Sequence, residues 1–552
     1  MANRSHERSW QVQSKGDVAV RRAAVATLRP LLRSHGAAHS SRGSARRAHR
    51  RRWGRGLNSG RTSQVRALFV CTTLDSRVQC LTQRSLCRHR ASPLTRSLRV
   101  ALADTSAVTA TAAGHGLSEV PDPRCSTLTP ASARCLQAAG VWADVERSGR
   151  CSSFHSMQVW DALGSAADTG VVRYTAQEAG RASLGHVVEN TVLSAALHTR
   201  LSHDATQQSG GEGALALLTP DTVQQLYLPS AQQVLPAAQT PDAGPDWAAV
   251  HMQQAGWVRA RLVVAADGGQ SHTRRLAGLR TVGWRYPQTA VVGVVTSTPG
   301  DHGTAWQRFL PDGPLAVLPM HGGYSSVVWT TSPGHAAHLT GLSAAEFAGE
   351  VHAALHGQGQ YAIEDRLPTP QAIAAALAAW RLLNGTAAGP AADMHSWQEP
   401  PAIGAAPESA MRGSFPLALR HAPSYVLPRL ALVGDAAHAV HPLAGQGLNL
   451  GISDARLLAN ALEEAVRGGS DIGDSYVLQR YARTATHANA PMVAAVDVLQ
   501  RLFSSSSGTV AALRSAGLSA VHTSPALRRA IIAYATGEQS AALELDQQVV
   551  TV

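Results

Sequence analysis

Between Arg429 and Leu462 the chain reads RLALVGDAAHAVHPLAGQGLNLGISDARLLANAL, and few architectures accommodate residues in that order. Leu430–Val433 is an apolar run of the kind buried on both faces of a parallel sheet, and Gly434-Asp435 stops it. Open α/β sheets gather ligands beyond the carboxyl ends of their strands, where this turn falls. Gly434 permits a tight turn with close backbone approach, and Asp435 then offers a carboxylate suited to a sugar-like hydroxyl. Pro442 and Gly445-Gln446-Gly447 follow, and a helix is predicted to begin near Leu448-Asn449. Glycines at that point let the first helical amides meet a ligand with no Cβ in the way. The positive end of the helix favours negative charge there by roughly 0.3–2 kcal/mol.

Composition sets the frame for this unit. A chain of 552 residues with 44% hydrophobic content can bury a substantial core in two or three units. No apolar run reaches the roughly 18 residues of a membrane span; the Ala-rich stretch ending at Trp380 is cut by Arg381. The net charge of +12 is unevenly placed: residues 1–100 hold 22 of the 49 bases but only Glu7, Asp17 and Asp75 as acids. The other 27 bases face 34 acids, so the basic character belongs to the N-terminal segment. Arg-rich, Ser-rich and acid-poor, residues 1–97 are expected to be a targeting leader or a wrongly assigned exon, and no nucleic-acid partner is expected. The six cysteines fall between Cys71 and Cys151 without C-x-x-C or zinc spacing, so no metal site is expected.

From Leu98 onward strands and helices alternate around a strand-rich middle. Arg99–Thr105 reads as a strand ending in Asp104, Pro130–Trp142 and Val187–Leu201 as helices, and Met157–Ala162 as an alternating strand. Residues 206–247 look like a loop-heavy insertion, and two strand-like runs meet at Ala255-Gly256 as a hairpin. Strand signals crowd residues 281–335, residues 343–382 are helical in pattern, and residues 452–538 look mainly helical. The expected fold is α/β: a ligand-binding domain interrupted by a mainly β domain, with a helical C-terminal region.

The negative charge favoured after Gly447 is what a reduced flavin carries along its N1–C2=O edge. The whole string resembles the second FAD motif of the flavoprotein aromatic hydroxylases with the p-hydroxybenzoate hydroxylase fold. Within that group it is most similar to the ubiquinone-biosynthesis monooxygenases, the mitochondrial ring-C5 hydroxylases above all. MQVWDA (157–162), GHVVENTVL (185–193), AWQRFLPDGPLAVLP (305–319) and FPLALRHAPSYVLPR (415–429) carry the likeness over roughly residues 98–552, the insertion apart. A second family motif is AADGGQSHTRR (265–275): Asp267-Gly268 ends a strand, Ser271 can cap a helix and Arg274 can meet phosphate oxygens.

The resemblance implies an FAD-binding Rossmann-like domain over 98–151, 183–280 and 415–465, a substrate domain over 152–182 and 281–414, and a helical region over 466–552. It places Asp104 on the adenosine ribose and Arg124 close to the flavin, with Asp267, Gly268, Gly434, Asp435, Pro442, Gly445, Gln446, Gly447, Leu448 and Asn449 holding the cofactor. Trp306, Arg308 and Phe309 become candidates for the substrate pocket. His438 and His441 flank the turn and are expected to pack or hold it rather than react. The implied chemistry is delivery of one oxygen atom from O2 to the ring of a polyprenylated phenol. The electron donor is NAD(P)H or a ferredoxin with its reductase. Membership of a multi-enzyme ubiquinone-biosynthesis complex and peripheral contact with the matrix face of the mitochondrial inner membrane are also implied. Rival readings are a flavin hydroxylase or epoxidase with another aromatic or isoprenoid substrate, and a non-catalytic subunit of a biosynthetic complex. One departure is marked. The family opens with strand, G-x-G-x-x-G and helix about 25–30 residues before the ribose acid, yet no glycine stands between Gly60 and Gly114. WGRGLNSG (53–60) has the wrong spacing.

Overall fold

The computed structural model describes residues 68–72, 98–106, 118–162, 170–207, 215–229, 246–298, 303–362, 397–442, 445–505 and 507–537. Two large sheets organise them. The first has six strands, in the order Val426–Leu427, Leu430–Leu432, Leu262–Ala266, Leu68–Thr72, Val100–Asp104, Leu215–Leu218. All neighbours are parallel except the first pair. The strands at 100–103, 262–266 and 430–432 are buried throughout, which is why they read as unbroken apolar runs.

Leu68–Thr72 corrects the expectation that residues 1–97 lie outside the domain. It occupies the middle of the sheet, with Leu68 opposite both Leu262 and Val100, and Thr72 opposite Ala266 and Asp104. The residues that join it to Val100–Asp104, where the glycine turn was sought, lie outside the described residues up to Leu98. The loop-heavy reading of 206–247 also needs correction: Leu215–Leu218 adds the edge strand, and Val223–Tyr227 joins Ala248–Met252 and Gly256–Ala260 in a three-stranded antiparallel sheet. Runs of four and five residues are too short to show a period. The hairpin closes with Met252 opposite Gly256, which sits at φ +70°.

The second large sheet has nine strands, running from Val171–Thr175 and Ser156–Asp161 through Thr304–Leu310, Gly313–Pro319, Tyr324–Thr331 and Val282–Ser297 to Gly413–His421 and His438–Ala439. Ile403–Gly404 pairs beside this path on Val282–Ser297. One face packs Trp160, Trp306 and Trp329 against helices Pro333–Gly341 and Ala344–His356. On the other face Val159 and Phe309 meet Val496 and Phe503 of the helix Ser475–Phe503, and the two Phe rings stack at 3.7 Å. Helices Gly508–Thr523 and Pro525–Ala535 complete a helical C-terminal region. No described helix is long and apolar enough to cross a membrane.

The two large sheets meet at the Gly434 turn. Leu432 ends a strand of the parallel sheet, and six residues later His438 pairs with His421 in the nine-stranded one.

Candidate functional site

The turn opens on a cavity of about 1670 Å³ between the two sheets and the C-terminal helices. Asp435, Pro442, Gly445, Gln446, Gly447, Leu448 and Arg124 line it together, although more than 300 residues separate the first and last of them in the chain. Gly434 has φ +59° and Gly445 φ +60°, values that L side chains rarely adopt. At Gly445 a Cβ would also press to 3.4 Å from the Thr127 Cβ. The helix Gly447–Arg467 then starts with Gln446 as N-cap and no side-chain cap, so its first amides stay open to an acceptor from outside. The ring-and-ribityl half of a flavin fits these features: an acidic acceptor, a glycine cradle and an uncapped positive helix end.

Other expected residues are placed differently. Asn449 is buried and stitches the turn to the opposite wall, its Oδ1 accepting from Thr129 N at 3.0 Å and Ser132 Oγ at 2.7 Å while its Nδ2 donates to Thr127 O at 2.9 Å. Asp267 caps its own turn, accepting from Thr273 N at 2.8 Å and from the Ser271 hydroxyl. Arg274 turns inward, donating to Ala436 O (2.7 Å) and Gly269 O (3.1 Å). The effect is to tie the D-G motif to the G-D turn. Gly268, at φ +79°, lies in that tied turn and not on the cavity wall. Asp104 stands at the carboxyl end of its strand, accepts from Ser106 N at 2.9 Å and does not line the cavity.

The substrate-pocket candidates divide by strand parity. Successive residues of Thr304–Leu310 face opposite sides, so Ala305, Gln307 and Phe309 line the cavity while Trp306 and Arg308 face away. Trp306 and Arg308 are therefore corrected. Trp306 is core on the far face, and Arg308 donates to Ala354 O at 2.8 Å. Burial lowers the Arg308 guanidinium to about 10, against the nearby Asp161 carboxylate, which raises it.

A buried cluster escaped the sequence reading. Arg150 Nε lies 2.9 Å from Glu189 Oε1, Asp122 N donates to Glu189 Oε2 at 2.7 Å, and His321 Nε2 sits 3.4 Å from Oε1. Arg150 and Glu189 both line the cavity. Burial raises the Glu189 carboxyl above its usual range, against the backbone donor and Arg150, which lower it. GHVVEN holds the glutamate in a strand, and nothing local marks it as paired. His438 and His441 are almost fully buried, and burial pushes the His441 imidazole down to about 4. Among the described residues no three His, Cys, Asp or Glu could hold a metal ion.

Residues 395–491 match the family described as FAD binding domain. The fold is that of p-nitrophenol 4-monooxygenase PnpA from Pseudomonas putida DLL-E4 (TM-score 0.56, 17% identity, 86% of this chain and 99% of that one). Klebsiella pneumoniae HpxO, solved with FAD and uric acid, aligns at TM-score 0.51 and 12% identity over 82% of this chain and 92% of its own. The chain is an FAD-dependent monooxygenase of the p-hydroxybenzoate hydroxylase type. It is 34% identical over 422 residues to the mouse protein "Ubiquinone biosynthesis monooxygenase COQ6, mitochondrial", covering 76% of this chain and 82% of that protein. Against the Escherichia coli (strain K12) 3-demethoxyubiquinol 3-hydroxylase it is 31% identical over 420 residues, 76% and 88% of the two chains. The chain belongs to the ubiquinone biosynthesis monooxygenase COQ6 family.

Proposed function

We propose that this chain hydroxylates the aromatic ring of a polyprenylated phenol in ubiquinone biosynthesis, at ring position C5. The observation that carries this reading is the cavity. At about 1670 Å³ it exceeds the few hundred to about 1,000 Å³ usual for small-ligand sites, room for a cofactor ring, a substrate ring and an isoprenoid tail. Its far wall is apolar: Met157, Val159, Phe309, Val496, Phe503 and Ile532 line it between the nine-stranded sheet and the C-terminal helices. Met411, Phe415 and Leu499 line it too while being 73%, 43% and 39% exposed, so its rim is apolar where it meets the outside. Such a rim suits delivery of the substrate from a membrane surface. Together with the mitochondrial names of its relatives, it supports a peripheral place on the matrix face of the inner membrane.

FAD, when bound, would supply the redox chemistry: two electrons from the donor reduce O2, one oxygen atom goes to the ring and the other leaves as water. The donor is NAD(P)H or a ferredoxin with its reductase. The chain supplies position and polarity. Asp435 would accept a hydrogen bond from a ribityl hydroxyl, and the amides from Gly447 onward would hold the anionic edge of the flavin ring. Arg124, largely exposed on the same wall and held by Asp122 Oδ1 at 3.3 Å, adds positive charge there. Asp104 is assigned to the adenosine ribose and the backbone around Gly268 to the pyrophosphate, while Asn449 and Arg274 hold the site's walls in register. The apolar wall excludes water from the reacting ring.

The reading is tested by incubating the FAD-loaded protein, a reductant and O2 with a polyprenylated 4-hydroxybenzoate, then locating the added oxygen by mass and NMR. A product oxidised elsewhere than C5, or turnover only of unprenylated or epoxidised substrates, would overturn it. Two variants sharpen the test. Asp435→Ala should cost about 1–3 kcal/mol of FAD binding, roughly 5- to 150-fold, because it leaves a buried hydroxyl without its acceptor. Equal flavin retention in variant and parent would remove Asp435 from the site. Phe309→Ala should weaken binding of the prenylated substrate about tenfold or more. Trp306→Ala should instead lower stability by about 3–5 kcal/mol and leave affinity per folded molecule unchanged. Equal losses of affinity in both would contradict the division by strand parity.

A further inference from the structure

The Gly434-Asp435 turn is gripped from behind by three residues that do not touch the cavity. Asp454, on the second turn of the helix Gly447–Arg467, points its carboxylate back at the strand end. Its Oδ2 accepts from Gly434 N at 2.9 Å and stands 2.6 Å from His438 Nε2, while its Oδ1 accepts from Asn489 Nδ2 at 2.7 Å. Asp454 and Asn489 are fully buried, and His438 is 1% exposed. None of the three lines the cavity, whereas Asp435, one residue from Gly434, does.

A carboxylate in such a place is stable only if its oxygens are met by donors, and here three are aimed at it. Burial opposes a charge on His438. The Asp454 carboxylate outweighs that through its charge and hydrogen bond, with Asp435 adding, and holds the imidazole above its usual range. The pair spans the turn, binding the amide at its start and the imidazole at its end. Asn489 brings in a third element, lying two helical turns beyond Tyr481, whose hydroxyl donates to Leu432 O at 2.8 Å.

We propose that Asp454, His438 and Asn489 are a positioning network for the flavin, fixing the Gly434-Asp435 turn so that the Asp435 carboxylate meets the ribityl chain. The proposal rests on the reading that Asp435 holds that chain. It gives the helix Ser475–Phe503 a part in cofactor binding through a residue 54 positions from the carboxylate it aims.

The test is titration of the full chain with FAD, and with riboflavin, which needs no pyrophosphate site, alongside thermal unfolding of the apoprotein. Asp454→Asn should weaken both flavins by about tenfold to a hundredfold per folded molecule, because one arm of the amide must present a donor to donors. Tyr481→Phe removes a buried hydrogen bond from the same helix without touching the turn. It should lower the Tm while leaving flavin affinity unchanged. If Asp454→Asn does not fold, Asn489→Ala, which removes one donor, should weaken both flavins severalfold. Unaltered affinity in Asp454→Asn or in Asn489→Ala, or an equal loss in Tyr481→Phe, would overturn the network. Asp435→Ala separates the two claims: loss of flavin there but not in Asp454→Asn sinks the network alone, and retention in Asp435→Ala sinks the parent reading. A parent chain that takes up neither flavin would overturn both.

Discussion

FAD added to this chain is expected to bind weakly. Replacing residues 73–97 with a G-x-G-x-x-G turn and helix from a related hydroxylase is expected to tighten it by about a hundredfold or more. The strand Leu68–Thr72 stands where such a turn should begin, between Leu262–Ala266 and Val100–Asp104. Parallel neighbours need a crossover of a dozen residues or more, and the 27 residues between Thr72 and Val100 are enough for a helix. Glycine is what they lack. In a dinucleotide fold those glycines bring backbone amides and a helix N-terminus onto the pyrophosphate, and hydrogen bonds to a charged group are worth about 1.5–3 kcal/mol each. Two such bonds already amount to about a hundredfold or more in affinity. The features built around Gly434, Asp435 and Gly447 address only the ribityl and ring end. Fluorescence-quenching titration of both proteins measures the difference. Equal affinities would mean that the pyrophosphate is held by groups other than a glycine turn.

How much of this was legible depended on distance along the chain. The strand, G-D turn, glycine pair and helix of 430–467 could be read because the residues that form them are contiguous and each glycine stands where the backbone needs it. The helical C-terminal region and the strand-rich middle were visible in their apolar periods. Leu68–Thr72 was hidden for the opposite reason: LFVCT is a strand in any window, but with no glycine after it and arginines around it, nothing local marks it as the centre of a sheet. Trp306, Arg308 and Phe309 show a second limit. The alternation of Thr304–Leu310 divides the residues into two faces, but only the partners packed on each face decide which one is the cavity. The same holds for Asp454 and Glu189. Each is a single acid in an ordinary segment, and its meaning comes from His438 and Asn489, or from Arg150 and His321, which only folding brings near.

Deleting residues 1–90 is expected to abolish cooperative folding, whereas deleting residues 1–60 should leave the thermal transition within a few degrees of the full chain. The shorter deletion removes an Arg-rich stretch with no apolar period. The longer one removes Leu68–Thr72, which pairs over five residues with each neighbour. Without it, Leu262–Ala266 and Val100–Asp104 face each other across a gap of two strand spacings, about 9–10 Å, each with an unpaired backbone edge. Closing the gap would drag the Leu430–Leu432 strand, and with it the Gly434 turn, out of register with the nine-stranded sheet that His438 joins. Leaving it open exposes the apolar centre of the largest core cluster. Either course costs more than the roughly 5–15 kcal/mol that separates folded from unfolded domains. Circular dichroism melts and the soluble yield of the two truncated chains give the measurement. A cooperative transition near the parent Tm in the 1–90 deletion would show that the sheet closes without its middle strand, and that residues 68–72 add length to the sheet but not its stability.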